Sequence, residues 1–564
     1  MSTTQRDIEL IRALTEQTSP PDPPEWWRSM VLYEVYVRSF NDTDGSGLGD
    51  LRGVLERIDY IADLGVDGIW LAPFYASPQE DGGYDISDFL EVDARFGTLQ
   101  DFRDLLDAAH GRGLKVILDL VLGHTSDRHP WYRESAASHD NPKADWYVWA
   151  DAAADGGAPN NWLSSFGGRA WRWEPRRAQY VYRPFLHSQP ALDLRNPEVM
   201  SAMKDVMRFW LGLGVDGFRL DAIQCLGHDA ALRSNPPAVE NDNPSVGGGP
   251  NNPFRQQIHL FDRDVPEAID VLREVRAVAE EFDPPRVLIG ELADVDSSRM
   301  APKYTMGGNR LHAVYDFDLI HRTKDPRSWT ELLEVRSRYL MPGASLNVFT
   351  NHDSQRAVSH LMPDACEAGQ SAAAAKLLLF LQTTLMGGAI LFQGDELGLE
   401  QPELREDEIK DAWAKALWPD FVGRDGVRCP MPWEADRPNA GFTDAPDPFQ
   451  AVPSSHRERA VDRQLADETS VLRFTQRLLA WRRAHPVLRV AGNHMLTGMP
   501  DAVIAYERPM PDGEASLTCA ANLGLEDSEI ALPSAGLEAS LTEGRCRLDG
   551  DRLHLGGLAF AALS

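Results

Sequence analysis

From residue 30 onward, short apolar runs alternate with stretches whose apolar residues recur at helical spacing. We predict eight strands from the apolar runs, at 32–38, 68–72, 115–121, 217–222, 287–292, 311–317, 345–353 and 387–393. Buried parallel strands are nearly continuous apolar runs, and a helix connects each strand to the next. The pattern therefore predicts an α/β fold of the (β/α)8 TIM-barrel type, closed by eight parallel strands.

The predicted strands are unevenly spaced. About 95 residues separate the third strand from the fourth, far more than one helix and two loops require. We predict that residues 125–190 form a small inserted domain, here called domain B, and that residues 30–124 and 191–495 form the barrel. Further long loops follow the fourth strand, around 234–253, and the eighth, at 400–450. All of them leave the carboxyl ends of the strands, the rim at which such barrels bind substrates.

The two ends of the chain follow a different pattern. Residues 1–29 are predicted to form an N-terminal arm, helical at first and proline-rich at 20–24. After a helix predicted at 471–485, residues 496–564 contain short runs of alternating apolar and polar residues separated by turn residues. This alternation is typical of antiparallel strands with one buried face. We predict a C-terminal antiparallel β domain, folded as a β-sandwich.

Composition limits the class of protein more than its activity. The 564 residues are 43% hydrophobic and 25% charged, with a formal net charge of −30. This acidic balance argues against nucleic acid or an anionic membrane as a partner. A solvated acidic surface without any specific partner is the alternative interpretation. We expect a monomer or homodimer that binds small molecules.

The cysteines and the N-terminal residues bear on the cellular compartment. Five cysteines are scattered along the chain and none forms a CxxC pair, so neither a disulfide framework nor a zinc site is expected. The first residues lack the apolar segment of a signal peptide, and no uninterrupted apolar stretch of about 18 residues occurs. We expect a cytoplasmic protein without an organic cofactor.

Three carboxylates lie at the ends of three predicted strands. Asp221 ends the run GFRLD, Glu291 ends VLIGE and Asp353 ends FTNHD. Because the carboxyl ends of barrel strands share one rim, these acids should converge on one pocket. Two carboxyl groups that flank a sugar are the catalytic groups of glycoside hydrolases. For any single acid the alternative is a cap for the following helix, so the hypothesis depends on all three together.

Further motifs extend this hypothesis. In chain order they are DLVLGH at 119–124, QPALD at 189–193, GFRLD at 217–221, GE at 290–291, NHD at 351–353 and QGDELG at 393–398. With these motifs the chain resembles glycoside hydrolase family 13, the α-amylase family, over about residues 28–564. The segments similar to its α-glucosidase and oligo-1,6-glucosidase branch are 39–42, 81–88, 124–127 and 423–428.

The resemblance implies a retaining double displacement, with Asp221 as nucleophile and Glu291 as general acid and then base. Arg219 lies two residues before Asp221, on the same face of the strand, where its fixed charge favours the ionised carboxylate. Asp353, together with His352 and His124, is implied to bind hydroxyl groups of the sugar. A structural histidine is the alternative for His124.

The resemblance also implies a pocket closed at one end. Asp81 and Arg428 are similar to the pair that clamps the 4-hydroxyl of the terminal glucose in exo-acting members, and a surface ion pair is the alternative. Tyr84 is expected to stack beneath the ring in the first subsite. Phe166 and Phe185 resemble aromatic residues that line this pocket, although an aromatic side chain is more often part of the core.

A candidate metal loop follows the first strand, in the segment DTDGSGLGD. Side-chain oxygens of Asp42, Asp44, Ser46 and Asp50 and the carbonyl of Leu48 recur at alternate positions, as in the first part of a calcium loop. The glutamate that completes an EF-hand is missing. The resemblance implies a lone structural Ca²⁺ or Mg²⁺ site, and a loop of Asx turns without metal is the alternative.

Together these features predict a retaining, exo-acting α-glucosidase that acts on the non-reducing end of short α-glucosides and transfers glucose to hydroxyl acceptors. A sucrose-acting, isomerising or oligo-1,6-glucosidase member of the family is one alternative. A non-catalytic relative that binds sugar or serves as a chaperone subunit is another. The resemblance also implies that Ala222, which follows the nucleophile Asp221, determines linkage preference. In members that favour α-1,6 bonds, the residue at this position looks like Val. The smaller Ala predicts a preference for α-1,4 bonds such as that of maltose.

Overall fold

The computed structural model describes residues 26–238, 249, 251–294, 296–321, 325–341, 343–509, 516–534 and 536–564. The helical tail predicted before residue 26 and part of the loop around 234–253 lie outside these residues. In the described part of the chain, no helix combines the length and the apolar character needed to cross a membrane.

Eight parallel strands close into a barrel in the centre of the chain. They are numbered β1 to β8 in chain order and span Val31–Val35, Gly68–Leu71, Lys115–Leu120, Gly217–Leu220, Val287–Leu292, Ala313–Asp316, Ser345–Asn347 and Gly388–Phe392. Each strand pairs with its neighbours in sequence, and β1 pairs with β8 in register from Val31 opposite Ala389. The predicted TIM barrel and each of its eight strands are confirmed.

Helices surround the barrel and fill the long connections. In the described residues the α-helices are Leu51–Glu56, Ile58–Leu64, Leu99–Gly111, Pro130–Ser135, Pro197–Leu213, Glu267–Ala279, Ser297–Thr305, Pro326–Tyr339, Ala357–Leu361, Pro363–Glu367, Ser371–Thr384, Ala412–Leu417, Ser454–Glu458, Val461–Leu465, Val471–Ala484 and Val487–Val490. Their ends follow local sequence rules. Thr98 and Asp101 form a capping box, and Gly214 ends its helix in the left-handed conformation that glycine adopts most readily.

The alternation of side chains along the strands determines what lies inside the barrel. In β1, Val31, Tyr33 and Val35 pack outward against the helices, whereas Leu32 belongs to the cluster inside the barrel. In β5, Val287 and Ile289 lie inside in the same way. Because side chains alternate with a period of two, the last inward position of several strands falls at the carboxyl rim. Those positions are polar and form the floor of a pocket above the apolar interior.

Seven of the eight predicted strands extend past the observed carboxyl ends, three of them by more than one residue. The strand predicted at 32–38 ends at Val35. The strand predicted at 217–222 ends at Leu220, so Asp221 follows it directly. The strand predicted at 345–353 ends at Asn347, and the prediction that Asp353 terminates it is wrong. The Asn351 side chain accepts a hydrogen bond from the backbone N–H of Asp353 at 3.0 Å and binds Ser354, and these local bonds replace the strand ladder. Asp353 therefore lies on a loop at the rim.

The remaining sheets are antiparallel. Between β3 and β4, within the predicted domain B, Trp149–Ala150, Trp171–Glu174 and Gln179–Tyr182 form a three-stranded sheet, and Tyr75–Ala76 pairs with Asp88–Val92 in the preceding connection. The C-terminal region has a five-stranded sheet of His494–Met495, Val503–Arg508, Leu517–Asn522, Phe560–Leu563 and Ala539–Glu543, and a three-stranded sheet of Ser528–Ala531, Arg552–Leu555 and Cys546–Asp549. One apolar cluster contains side chains of both C-terminal sheets, which confirms the predicted antiparallel β architecture there.

Candidate active site

Arg219 is the central charge of the pocket floor. Its guanidinium contacts three carboxylates: Nη1 lies 2.6 Å from Asp119 and 2.8 Å from Asp221, and Nη2 lies 2.6 Å from Glu291. The same group donates to the hydroxyl of Tyr315 at 2.8 Å. Its side chain is 1% exposed, so three acids and one cation share a nearly dry site in which their interactions are strong.

The environment gives the two acids nearest the substrate different proton affinities. Burial raises the pKa of Asp221 to about 7, while Arg219 lowers it. Burial raises the pKa of Glu291 to about 8, again opposed by Arg219. Because the two carboxyl groups share Arg219, they titrate as a pair, and one proton between them leaves one carboxylate beside one carboxylic acid. A pair of carboxyl groups with separated pKa values is how glycosidases assign nucleophile and acid.

Local backbone geometry fixes Glu291 relative to Asp221. Ala222 has a left-handed backbone, with φ 41° and ψ 54°, directly after the nucleophile. This turn points the backbone N–H of Ala222 at Glu291 Oε2, with a donor–acceptor distance of 3.0 Å. The turn after β4 thus holds the Glu291 carboxyl, which belongs to the neighbouring strand β5.

Asp119 supports the floor and does not line the pocket. Its carboxylate accepts hydrogen bonds from Arg219, from the hydroxyl of Tyr84 at 2.8 Å and from the indole of Trp70 at 3.2 Å. Tyr84 in turn stacks on His352, with ring centroids 5.2 Å apart and planes inclined by 9°. Asp119 therefore orients the groups that face the substrate.

Above this floor is a pocket whose empty volume, counted out to the open solvent at its mouth, is about 760 Å³. Nine of the predicted site residues line it: Asp81, Tyr84, His124, Phe166, Phe185, Asp221, Ala222, Glu291 and Asp353. The sequence-based prediction missed Ser165, Gln224, Arg263, Ala293, Phe317, His321, Trp413 and Arg424, which also line it. Three predicted residues, Arg219, His352 and Arg428, lie outside the lining.

The predicted pairing of Asp81 with Arg428 is wrong, because Arg424 takes that place. Arg424 Nη2 lies 2.7 Å from Asp81 Oδ1, and Asp411 holds the guanidinium from behind at 2.8 and 2.9 Å. Arg428 instead binds Asp353 at 2.5 Å and the backbone carbonyl of His352 at 2.8 Å. The two arginines are four residues apart on one loop, and their spacing in the sequence does not show which one faces the pocket.

Asp353 is surrounded by positive charge at the pocket edge. Burial opposes its ionisation, but His352, Arg424 and Arg428 outweigh burial and lower the pKa of Asp353. His352 is fully buried: its Nε2 lies 3.5 Å from Asp353 Oδ1, and its Nδ1 lies 2.5 Å from Glu34 Oε1. Glu34, on β1, is also fully buried. The sequence analysis missed Glu34, although a polar residue at an inward position of an apolar strand was a usable signal.

His124 and two insertions form the side walls. Burial lowers the pKa of His124 to about 4, so its ring is neutral at pH 7. It contacts the ring of Phe185 at 5.1 Å. Phe166, from domain B, stacks on Trp413, from the insertion after β8, with centroids 4.2 Å apart. The two insertions meet across the pocket through this pair of rings.

The predicted metal loop brings its acids together. One carboxylate oxygen each from Asp42, Asp44 and Asp50 lie within 4.8 Å of one another. The side chain of Ser46 and the carbonyl of Leu48 lie 3.3 Å apart in the same loop. Asp50 also accepts a hydrogen bond from Gly53 N and caps the helix Leu51–Glu56. In the described part of the chain no lysine or arginine forms an ion pair with these three acids, so the oxygen-rich cluster fits a Ca²⁺ or Mg²⁺ ion.

Comparisons with known proteins cover nearly the whole chain. A family model for the alpha amylase catalytic domain matches residues 34–491. A probable alpha-glucosidase from Rhizobium meliloti (strain 1021) is 42% identical over 529 residues, 93% of this chain and 94% of that protein. An oligo-1,6-glucosidase from Heyndrickxia coagulans is 34% identical over 534 residues, 88% and 92% of the two chains. The crystal structure of an alpha-glucosyl transfer enzyme, XgtA, is 41% identical, with a TM-score of 0.89 over 97% of this chain and 99% of that one.

Proposed function

The chain belongs to the alpha-amylase family of glycoside hydrolases and is an enzyme of its alpha-glucosidase group, and from this premise we propose a specific activity. It is a retaining, exo-acting α-glucosidase that releases glucose from the non-reducing end of short α-glucosides. The observation that carries the proposal is the pocket itself. Asp221 and Glu291 share the Arg219 guanidinium at its floor, and Arg424 and Asp81 pair with each other in its lining.

The chemistry follows from the two proton affinities. Ionised Asp221 attacks the anomeric carbon of the terminal glucose, while protonated Glu291 gives its proton to the departing glycosidic oxygen. The bond between that oxygen and the anomeric carbon breaks, and a glucosyl ester forms on Asp221. Glu291, now a carboxylate, then removes a proton from water, which attacks the same carbon and restores Asp221. Two inversions leave the released glucose in the α configuration.

Transfer of glucose to hydroxyl acceptors is part of the proposal. The glucosyl ester reacts with whichever hydroxyl group Glu291 can deprotonate, so a bound alcohol or sugar competes with water. The ring pair Phe166–Trp413 and the ring of Phe317 offer aromatic surface beside the acids on which such an acceptor packs. Similarity to an alpha-glucosyl transfer enzyme also supports this activity.

Exo-action depends on the Asp81–Arg424 pair. The carboxylate and the guanidinium offer an acceptor and donors to the last hydroxyls of the sugar chain. Asp411 holds the guanidinium from behind, and we propose that this anchored pair closes this end of the sugar site. We expect Arg424→Ala to raise the KM for maltose about 10-fold or more, because charged hydrogen bonds to the sugar are lost. Arg405→Ala, an exposed arginine of the same insertion, is the control and should leave KM unchanged. Rapid loss of starch viscosity with the native enzyme would contradict exo-action.

Ala222 is the proposed determinant of linkage preference. It lines the pocket beside the nucleophile and is 8% exposed. We expect the native enzyme to prefer maltose over isomaltose, and Ala222→Val to shift the ratio of their kcat/KM values toward isomaltose by roughly 10–200-fold, since added methyl groups crowd the second subsite. Val is also strained at a positive φ, so the ratio, not the absolute rate, is the readout. Ala222→Ser, with little added bulk, should keep the native ratio; a native preference for isomaltose would refute the proposal.

Two alternatives remain to be separated by experiment. Similarity to an oligo-1,6-glucosidase favours an enzyme that cleaves α-1,6 bonds, and sucrose hydrolysis or isomerisation uses the same acids. A panel of maltose, isomaltose, sucrose, trehalose and maltotriose with product analysis distinguishes them. A non-catalytic relative would bind these sugars without releasing products. We propose that the partners of the protein are limited to small α-glucosides and hydroxyl acceptors.

A structural Ca²⁺ or Mg²⁺ in the loop of Asp42, Asp44 and Asp50 is also proposed. When bound, the cation offsets the repulsion of the three carboxylates. Asp42 also binds the hydroxyl of Thr443, so the loop holds the insertion after β8 against the barrel. The ion thus stabilises the fold and takes no part in the chemistry.

Chelation should therefore lower Tm by a few degrees and reduce activity less than stability, because an ion bound only to the folded state stabilises it by mass action. Differential scanning calorimetry before and after chelation, with Ca²⁺ or Mg²⁺ added back, measures the effect. Ser46→Asp adds a carboxylate ligand and should enlarge the response to added metal. An unchanged Tm in both proteins would refute the metal site.

A further inference from the structure

A second pocket, here called the rear pocket, lies behind the Arg424 wall. It has a volume of about 540 Å³ and extends from Arg424 and Arg428 to Gly47 of the metal loop. Arg424 lines both pockets, so the rear pocket is separated from the sugar site by a single side chain. Nothing in the proposed hydrolysis uses it.

Two cations in the rear pocket lack a carboxylate partner. The Arg38 guanidinium lies 4.0 Å from the centroid of the Phe449 ring, and the Lys410 ammonium lies 4.2 Å from the same centroid. Within the described residues, neither is within ion-pair distance of an Asp or Glu. Two positive charges on one ring repel each other. Burial lowers the pKa of Lys410 and Arg38 lowers it further, while the nearby Asp425 raises it.

The acids that line the rear pocket are already engaged. Glu80 pairs with an arginine outside the pocket. Asp411 binds Arg424 through both oxygens. Asp425 accepts hydrogen bonds from the backbone N–H groups of Lys410 and Asp411 at 2.7 and 2.8 Å. The lining thus carries four cationic side chains against three acidic ones, in a chain whose net charge is −30.

The rear pocket also concentrates buried polar atoms without hydrogen-bond partners. They are Arg38 Nε, both side-chain amide atoms of Gln79 and Gln450 Oε1. Gln450 is only 6% exposed, and Gln79 has a strained backbone with φ 65°. Unsatisfied buried groups and strained non-glycine residues cluster at binding sites, where a ligand completes the bonding. These atoms include donors and acceptors, so the fitting ligand must offer both.

We propose that the rear pocket binds a free tetrahedral oxyanion that carries a hydroxyl group, namely hydrogen phosphate. Its charged oxygens accept from Arg38 and pair with Lys410, and its hydroxyl donates to a glutamine carbonyl. Sulfate lacks that hydroxyl at neutral pH and should bind more weakly. Because Arg424 borders both pockets, an anion here also attracts the guanidinium that holds the sugar.

The test is thermal unfolding of the full-length enzyme titrated with inorganic phosphate, with sodium chloride at equal ionic strength as reference. We expect a saturable rise in Tm of about 1–3 °C, larger than that with sulfate. Lys410→Met and Arg38→Met should abolish the rise. Arg545→Met, which removes an exposed arginine of the C-terminal domain, should keep it.

Two results would overturn the proposal. One is a rise in Tm no larger than that with chloride. The other is an unchanged rise in Lys410→Met and Arg38→Met, accompanied by competitive inhibition of maltose hydrolysis, which would place phosphate in the sugar site. Lys410→Met alters an exposed residue and is expected to fold normally, so the titration remains informative if Arg38→Met does not fold.

A separate observation concerns the proton between His352 and Glu34. Asp353 is ionised and can only accept a hydrogen bond. His352 Nε2 lies 3.5 Å from Asp353 Oδ1, so a neutral imidazole is more stable with its proton on Nε2 than on Nδ1. A neutral imidazole then presents a bare Nδ1 to Glu34 Oε1 at 2.5 Å, which requires a protonated Glu34. Glu34 Oε2 is buried without a hydrogen-bond partner, which costs less free energy for a neutral carboxylic acid than for a carboxylate. Burial raises the pKa of Glu34, opposed by Arg219 and reinforced by Asp119 and Asp353.

We infer that Glu34 is a positioning residue that donates to His352 Nδ1 and so keeps the imidazole proton on Nε2, beside Asp353 at the pocket edge. This inference rests on the proposed function. Glu34→Gln keeps an N–H donor for Nδ1 and should retain kcat/KM for maltose within a few-fold. Glu34→Met removes the donor and should lower kcat/KM about 10–100-fold with little change in Tm.

The pH dependence separates positioning from a structural role. At alkaline pH, Glu34→Gln should lose less activity than the native enzyme, because its donor does not titrate. Equal activity of Glu34→Gln and Glu34→Met, or an alkaline limb identical in Glu34→Gln and the native enzyme, would overturn the inference. Absence of turnover in the native enzyme would instead refute the proposed function.

Discussion

Asp221→Ala and Glu291→Gln are each expected to lower kcat for maltose by several orders of magnitude without unfolding the protein. Asp221 supplies the bond that forms, and Glu291 supplies the proton without which the leaving sugar departs as an unstable alkoxide. Burial raises the pKa of both acids, so each costs stability when ionised, and its removal should not destabilise the fold. Circular dichroism and Tm measurements check this point.

The leaving group separates the two roles. A p-nitrophenyl α-glucoside departs without protonation, so Glu291→Gln should retain much more activity on it than on maltose. Asp221→Ala should lose both activities. The native pH profile should be bell-shaped, with an acid limb set by Asp221 and an alkaline limb set by Glu291. Early release of β-glucose from the non-reducing unit of maltose, followed by proton NMR, would refute retention.

Arg219→Met is expected to lower the free energy of unfolding by about 3–5 kcal/mol, the usual cost of leaving buried charges without their partner. Met has similar length but no charge, so three carboxylates would face one another without a cation. Turnover should fall as well, because Asp221 then ionises only at higher pH. Arg219→Lys, which keeps the charge but not the fork geometry, should recover part of the stability.

The loss should grow with pH, and the sign follows from the proton balance. Burial raises the pKa of Asp119 to about 6, of Asp221 to about 7 and of Glu291 to about 8, all above the values of an unfolded chain. The folded state therefore binds more protons, and stability falls as pH rises from about 4 through these values. Without Arg219 these pKa values rise further, so urea unfolding at pH 5 and pH 8 should show a steeper loss in the variant. An equal loss of unfolding free energy at pH 5 and pH 8 would contradict the proposal that Arg219 offsets the charge of these three carboxylates.

The barrel was predictable because its strands are long apolar runs with helical stretches between them, a pattern that depends on local sequence alone. Asp221 and Glu291 were predictable for the same reason, since each lies at the carboxyl end of such a run. The position of Asp353 was not, because the side chains of Asn351 and Ser354 end the strand early. Competition between a local turn and a strand ladder is not visible in hydrophobic periodicity.

Residues on insertions were the least predictable. Arg424 and Arg428 occur in one motif, and the hydrogen bond from Arg428 N to Arg424 O places them one turn apart. Both guanidiniums therefore reach Asp353, while Arg424 also reaches Asp81. Trp413 lies about 250 residues from its stacking partner Phe166, so no local pattern indicates the contact. Glu34 gave a usable signal as a polar residue in an apolar strand, but its contact with His352, 318 residues away, is visible only in the closed barrel.

The contact between Phe166 and Trp413 has a consequence for how such enzymes diversify. The acids belong to the barrel, whereas this wall of the pocket is assembled from two insertions that are distant in the chain and touch through a pair of rings. A change of substrate by loop exchange would then require both insertions to be inherited or grafted together. Recombination that replaced only one insertion would separate Phe166 from Trp413 and open this wall of the pocket. The catalytic acids, which belong to the barrel, would stay in place.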